Sequence, residues 1–185
     1  MEICKLYELL KIFKTAIINA RDDRSFSDDI TFYRFPYACC GDTSYLLAEF
    51  LREYSIDTLY VWGTASNRQT HAWLVLKDNR VLDPTPSFYE HPDEIKQLLL
   101  SYGCDVPDGP IETTKYEETD IVNGIILDLT ADQFNQQDIY VGHINHFYKQ
   151  FRFESAHIHN GFGDNIRLEK LYRIILEHIT ATITQ

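Results

Sequence analysis

The chain has 185 residues, 44% of them hydrophobic, and its 28 acidic and 17 basic side chains give a net charge of −11. A chain of this length buries roughly 70% of its unfolded surface, so we expect one domain over residues 1–185. The negative charge repels phosphate backbones and anionic lipid, which excludes nucleic acid as an expected partner.

The first 19 residues interleave charged side chains with apolar ones, unlike a signal peptide, and no apolar run approaches the ~20 residues of a membrane span. The four cysteines, at positions 4, 39, 40 and 104, are too sparse for a secreted disulfide framework. We therefore expect a cytoplasmic protein that does not associate with membranes.

Apolar residues at helical spacing predict a helix at each end of the chain and a third near Cys40. The first helix presents apolar residues three or four positions apart: Ile3, Leu6, Leu10, Phe13 and Ile17. The second follows a cap at Asp42 or Thr43, which places Cys40 at or just before its first turn. The last is predicted over about residues 164–180.

Between these helices, β-rich runs predict strands over residues 58–63, 70–76, 125–127 and 139–141. Asp78-Asn79 predicts a hairpin turn that returns residues 80–83 as the partner of the second strand. Residues 92–100 are predicted as a short helix and residues 103–123 as a surface excursion. Helices at both ends with antiparallel strands between them indicate the α+β class.

Cys40, His71 and Asp83 occur in an order and on elements that suit thiol chemistry. An ordinary thiol has a pKa near 8.5, and lowering it by two to four units requires roughly 3 to 5 kcal/mol. A helix N-terminus supplies about 1 kcal/mol near the surface, so most of the stabilisation must come from a cationic partner. An imidazole supplies that charge, and a carboxylate on its far nitrogen fixes the tautomer. The pattern therefore predicts a Cys40–His71–Asp83 triad.

These residues also carry a family resemblance. Cys-Gly-Asp-x-Ser at a helix start (40–44), Thr-His-Ala-Trp on a strand (70–73) and Leu-Asp-Pro-Thr (82–85) resemble the transglutaminase-like branch of the papain-like cysteine hydrolases. The resemblance covers roughly residues 35–134. It implies an antiparallel sheet packed against the helix that bears the cysteine, and a thiol hydrolase or acyltransferase acting on a protein or peptide amide through an acyl-enzyme thioester. We expect no cofactor.

The third member of the triad has two candidates. Asp128, in Asp128-Leu129-Thr130, resembles the acidic motif of small bacterial relatives in which the histidine strand runs directly into it. If Asp83 serves, the hairpin turn sets its distance to His71 locally; if Asp128 serves, residues 77–124 are an insertion. The sequence slightly favours Asp83. Cys39 is likewise an alternative to Cys40 as the nucleophile, because one residue's slip at the cap changes which sulfur faces His71.

Other interpretations remain open at this stage. The resolving nucleophile decides between a peptidase, amidase or deamidase and a cross-linking transglutaminase, and an effector toxin that modifies a host protein is a further alternative. A non-catalytic module that retains the fold could bind a basic partner, and acyl transfer from a thioester cofactor is a third possibility. A metal site is disfavoured because His143, His146, His157 and His159 lack zinc-like spacing. Tyr33, Arg34 and Tyr37 are candidate donors to an oxyanion.

Overall fold

The computed structural model describes residues 3–76 and 124–183. Within these ranges the chain forms three α-helices and a five-stranded antiparallel sheet, which confirms the predicted α+β class. The helices are α1 (Ile3–Asp22), α2 (Cys40–Glu53) and α3 (Ile166–Ile183). The strands are β1 (Thr58–Ala65), β2 (Thr70–Leu76), β3 (Ile125–Asp128), β4 (Tyr140–His143) and β5 (Phe151–Ile158).

The strand order β4-β3-β2-β1-β5 places β2, which bears His71, at the centre of the sheet. Residues 74–76 of β2 pair with residues 58–60 of β1 on one side and with residues 125–127 of β3 on the other. Asp128 is the last residue of β3, one position beyond the pairing of Leu127 with Leu74. Because β2 and β3 are antiparallel, the end of β3 points towards the start of β2, where His71 lies.

Several sequence predictions differ from this sheet. The strand β5 was not predicted, because its apolar residues change phase along the strand: Phe151 and Phe153 occupy odd positions, whereas Ala156 and Ile158 occupy even ones. The predicted hairpin turn, the return strand 80–83, the helix 92–100 and the excursion 103–123 lie outside the described residues. In the described part, both edges of β2 are occupied over residues 74–76.

Both faces of the sheet are buried, each against its own hydrophobic cluster. On one face the three helices pack over strand residues that include Tyr60, Leu74 and Leu127. On the other face lies a smaller cluster rich in aromatic rings, which includes Trp73, Tyr148 and residues of the chain between β3 and β5. Alternate β2 side chains therefore belong to different clusters, since successive residues of a strand point to opposite faces.

None of the helices in residues 3–76 and 124–183 combines the length and the apolar character that crossing a bilayer requires.

A buried lysine ties α1 to the turn that follows Asp128. Lys14 is only 2% exposed, and its Nζ atom lies 2.8 Å from Asp132 Oδ2, 2.5 Å from Asp138 Oδ1 and 2.6 Å from the Asp138 carbonyl oxygen. Asp132 belongs to a short 3₁₀ turn, Ala131–Phe134. A buried ammonium needs such partners, because desolvation of an unpaired charge is expensive. Lys14 therefore holds the turn that follows Asp128 against α1.

Replacing Lys14 by Met should lower the free energy of unfolding by about 2 to 4 kcal/mol, because the partly buried Asp132 carboxylate loses its cation. The matched control is Lys11→Met on the exposed side of the same helix, which should change stability by less than about 0.5 kcal/mol. Urea unfolding followed by circular dichroism measures both. Equal effects of the two substitutions would show that the Lys14 ion pairs do not stabilise the fold.

Candidate active site

Cys40 is the first residue of α2, and its side chain is partly exposed. The preceding residue, Cys39, occupies the N-cap position and makes no side-chain capping hydrogen bond. Cys39 is 2% exposed, and burial raises the pKa of its thiol to about 12. The Cys39 sulfur thus packs in the core as a neutral thiol, which leaves Cys40 as the more accessible of the two adjacent thiols.

His71 and Asp128 form a buried pair. The Nε2 atom of His71 lies 2.7 Å from Asp128 Oδ2, and the two side chains are 0% and 1% exposed. The Asp128 carboxylate also accepts hydrogen bonds from the Tyr148 hydroxyl at 2.9 Å, and from the Thr130 backbone N–H at 2.8 Å and hydroxyl at 3.1 Å. Both oxygens of Asp128 are therefore satisfied, as a buried carboxylate requires.

This environment fixes the charge states of the pair. Burial alone would lower the pKa of His71, but the charge and hydrogen bond of Asp128, aided by Cys40, outweigh it and raise the pKa to about 9. Burial likewise would raise the pKa of Asp128, yet His71, Thr130 and Tyr148 hold it below its ordinary value. At neutral pH the pair is therefore an imidazolium with a carboxylate.

The second ring nitrogen of His71, Nδ1, is not bonded to Asp128. Nδ1 is buried and has no hydrogen-bond partner within the described part of the chain, whereas the Cys40 side chain is near enough to favour the protonated ring. Cys40 therefore lies near the ring, but without a hydrogen bond to Nδ1. Such contacts in unliganded sites commonly tighten only when substrate is bound.

Aromatic rings surround the His71 imidazole on the face of the sheet opposite the helices. Their centroids lie 4.9 to 6.3 Å from that of His71, and they belong to Trp73, Phe134, Phe147, Tyr148 and Phe151. This shell excludes water from the His71–Asp128 hydrogen bond, which strengthens it electrostatically. It also fixes the plane of the imidazole, since the rings leave little room for rotation.

A chain of hydrogen bonds links the Asp128 turn to the loop before Cys40. The Gln133 side-chain amide donates to the Thr130 carbonyl at 2.9 Å, and its oxygen accepts from the Ala38 backbone N–H at 3.4 Å. Thr130 in turn binds Asp128. These hydrogen bonds fix the position of the Ala38 backbone relative to the Asp128 carboxylate, which is bonded to His71.

An arginine of α3 forms an ion pair with a carboxylate in the first turn of α2. The Asp42 Oδ2 atom lies 2.7 Å from Arg167 Nη1, and the same guanidinium binds Asp29 Oδ2 at 2.7 Å through Nε. Arg167 therefore links α3 both to the first turn of α2 and to the loop that contains Asp29.

Asp83, the other candidate for the carboxylate, lies outside the described residues. Within them, the carboxylate bonded to His71 is that of Asp128. Tyr33 and Tyr37 are 45% and 60% exposed. Among the residues described, no group of three or more His, Cys, Asp or Glu side chains could hold a metal ion.

Two of the histidines considered for metal binding have other partners: His157 Nε2 lies 2.7 Å from the Tyr45 hydroxyl, and His159 Nε2 lies 2.8 Å from Glu49 Oε2.

A cleft of about 340 Å³ opens beside the aromatic shell. Three of the rings that contact His71 form part of it: Phe134, Phe147 and Phe151. The rest of its lining consists of carboxamide side chains: Gln69, Gln133, Asn135, Gln136 and Gln150. The described lining therefore combines aromatic rings with uncharged amides, and each amide offers both hydrogen-bond donors and an acceptor.

Neither models of protein families, nor curated proteins, nor solved structures provide a match to this chain.

The His71–Asp128 pair should make stability depend on pH. The folded pKa of His71, about 9, exceeds its ordinary value of 6.5, so the stabilisation is complete below pH 6.5 and is lost as the pH rises through 9. Between these limits the wild-type free energy of unfolding should fall by about 2 to 3 kcal/mol relative to that of His71→Gln. Urea unfolding of both proteins at stepped pH measures the difference. Parallel stability curves for the two proteins would contradict the assigned charge states.

Proposed function

We propose that this chain is a thiol hydrolase or acyltransferase of the transglutaminase-like branch of the papain-like superfamily, acting on an amide. The observation that carries the proposal is the buried hydrogen bond of His71 Nε2 to Asp128, on a ring near enough to Cys40, at the start of α2, for that thiol to favour its protonated form. The resemblance of the sequence motifs around Cys40 and His71 to that branch supports the same conclusion. We assign the carboxylate of the triad to Asp128, because its side chain is hydrogen-bonded to His71.

The charge arrangement supports an ion-pair mechanism. His71 is an imidazolium at neutral pH because its pKa is raised to about 9, and it can stabilise a Cys40 thiolate through Nδ1. The thiolate is the nucleophilic form of cysteine. Asp128 keeps the ring oriented and stabilises its positive charge, the role of the carboxylate in triads of this type.

Each chemical step then follows. The Cys40 thiolate attacks the amide carbonyl carbon and forms a tetrahedral oxyanion. As the carbonyl re-forms, the carbon–nitrogen bond breaks, and His71 gives its proton to the departing amine. A thioester on Cys40 remains. Water or a second amine then attacks the thioester while His71 accepts its proton, and the thiolate is regenerated.

The cleft beside the aromatic shell suggests where the substrate lies. Carboxamide side chains pair with peptide groups through one donor and one acceptor each, and a neutral lining imposes no requirement for a charged side chain. Gln133 joins this cleft to the loop that leads into Cys40. An uncharged stretch of peptide near the reacting amide is therefore the substrate class that the surroundings favour.

Alkylation of Cys40 by iodoacetamide at pH 6 tests the proposal. Ordinary thiols are less than about 1% ionised at this pH, so the ion pair should make Cys40 react about 10 to 100 times faster than free cysteine. His71→Gln should reduce the rate to that of free cysteine, and Asp128→Asn should reduce it by about tenfold. Peptide mass spectrometry identifies the labelled thiol and gives the rates.

The matched controls are His146→Gln, an exposed histidine, and Asp83→Asn, the other carboxylate candidate. Both should label at the wild-type rate. Labelling of wild-type Cys40 no faster than free cysteine would instead favour the non-catalytic binding module. A slow Asp83→Asn variant with a normal Asp128→Asn variant would transfer the orienting role to Asp83.

A further inference from the structure

The alanine two residues before Cys40 has an unusual backbone conformation. Ala38 has a φ of 57°, in the left-handed region that favours glycine, because a Cβ atom there crowds the following carbonyl oxygen. Ala38 is exposed, so packing of its methyl group does not impose this conformation. Contacts of the surrounding chain must therefore hold the backbone at Ala38.

The direction in which the chain enters α2 depends on this residue. Cys39, which follows Ala38, is buried in the core, and Cys40 begins the helix. The Thr43 N–H donates to the Cys39 carbonyl at 2.8 Å, which ties Cys39 to the first turn. A change in the dihedral angles of Ala38 would therefore displace the Cys40 sulfur relative to the sheet.

The side chain of Gln133 bonds to the Ala38 backbone across 95 positions in the chain. Its Oε1 atom accepts from the Ala38 N–H at 3.4 Å, while its Nε2 atom donates to the Thr130 carbonyl at 2.9 Å. A carboxamide suits this place because it offers a donor and an acceptor at once. Thr130 in turn donates to the Asp128 carboxylate. Gln133 thus joins the loop before the thiol to the carboxylate of the triad.

The turn that contains Gln133 also contacts the imidazole. Phe134, the next residue, packs edge-on against His71, with ring centroids 4.9 Å apart and planes at 72°. Lys14 of α1 holds the same turn through a buried ion pair at 2.8 Å. Gln133 therefore reaches Ala38 from a turn that is itself fixed to the helical layer and to the imidazole.

We propose that Gln133 is a positioning residue for the triad, which holds Ala38 in its left-handed conformation. This conformation sets the distance between the Cys40 sulfur and the His71 ring. The inference rests on the proposed function and adds to it a residue that acts through the backbone. Without the carboxamide, Ala38 relaxes towards a negative φ, which alanine prefers, and the thiol loses its cationic partner.

The test measures alkylation of Cys40 by iodoacetamide at two pH values. This reagent is small and needs no peptide-binding cleft, so its rate reports on the thiol rather than on substrate binding. At pH 6 only a thiol paired with the imidazolium reacts rapidly, whereas at pH 10 an ordinary thiol, with a pKa near 8.5, is itself largely ionised. A thiol that is displaced in a folded protein is therefore slow at pH 6 and normal at pH 10.

Gln133→Met removes both hydrogen bonds and keeps a side chain of similar length. Alkylation at pH 6 should slow by about tenfold, with the rate at pH 10 within about twofold of wild type. Adding Ala38→Gly should raise the pH 6 rate by about 3- to 10-fold, because glycine adopts a positive φ without strain. Peptide mass spectrometry gives the rates. A wild-type rate at pH 6 in Gln133→Met, or no rise on adding Ala38→Gly, overturns the inference.

Ser55 provides a matched control just after the opposite end of α2. It is exposed and also left-handed, with a φ of 58°. Ser55→Gly added to Gln133→Met relieves the same kind of strain, yet it should leave the pH 6 rate at the level of Gln133→Met alone. An equal rise with either glycine would mean that glycine acts through general stability, and this result also overturns the inference.

Ala38→Val is the second variant, should Gln133→Met not fold. A β-branched residue is strongly disfavoured at positive φ, so valine should slow alkylation at pH 6 by about tenfold even with Gln133 intact, whereas Ser55→Val should not. Equal pH 6 rates in the two valine variants overturn the inference. Failure of the proposed function looks different, because wild-type Cys40 would then label at pH 6 no faster than free cysteine, and the inference would fall with it.

Discussion

The site depends on one buried hydrogen-bonded ion pair, between His71 and Asp128. Removing both groups from water costs several kcal/mol, and their mutual attraction with the Tyr148 and Thr130 hydrogen bonds offsets that cost. A hydrophobic pair of the same volume would stabilise such a core at least as well. The pair is therefore better explained by what it does to the imidazole, which is held in one orientation, in the charged form, with Nδ1 left without a partner.

Two parts of the fold position this pair: the pairing of β2 with β3 and the contacts of the turn after β3. The antiparallel pairing of β2 with β3 brings the end of one strand to the beginning of the other, so the backbone sets the distance between His71 and Asp128. The turn after β3 is fixed by Lys14 of α1 and by Gln133, which reaches the loop before α2. The helical layer and the strands are thus coupled beside the His71–Asp128 pair.

The sequence predicted much of this arrangement because the signals are local. Apolar spacing predicted α1, α2 and α3, and a short motif at each position selected Cys40 and His71. The choice between Asp83 and Asp128 could not be made in this way, since each aspartate follows an apolar run and precedes a threonine by two residues. The strand β5 was missed because its apolar residues change from odd to even positions where its register with β1 shifts.

What the sequence by itself determined is the three helices and four of the five strands in the described part of the chain, together with the candidate residues for thiol chemistry, because periodicity and capping act over a few neighbouring residues. Only the tertiary structure decided which carboxylate lies on His71 among the described residues, and that the Gln133 side chain bonds to the Ala38 backbone. Those contacts join residues 57 and 95 positions apart in the chain. Strand register and helix packing set them, and neither leaves a local pattern in the sequence.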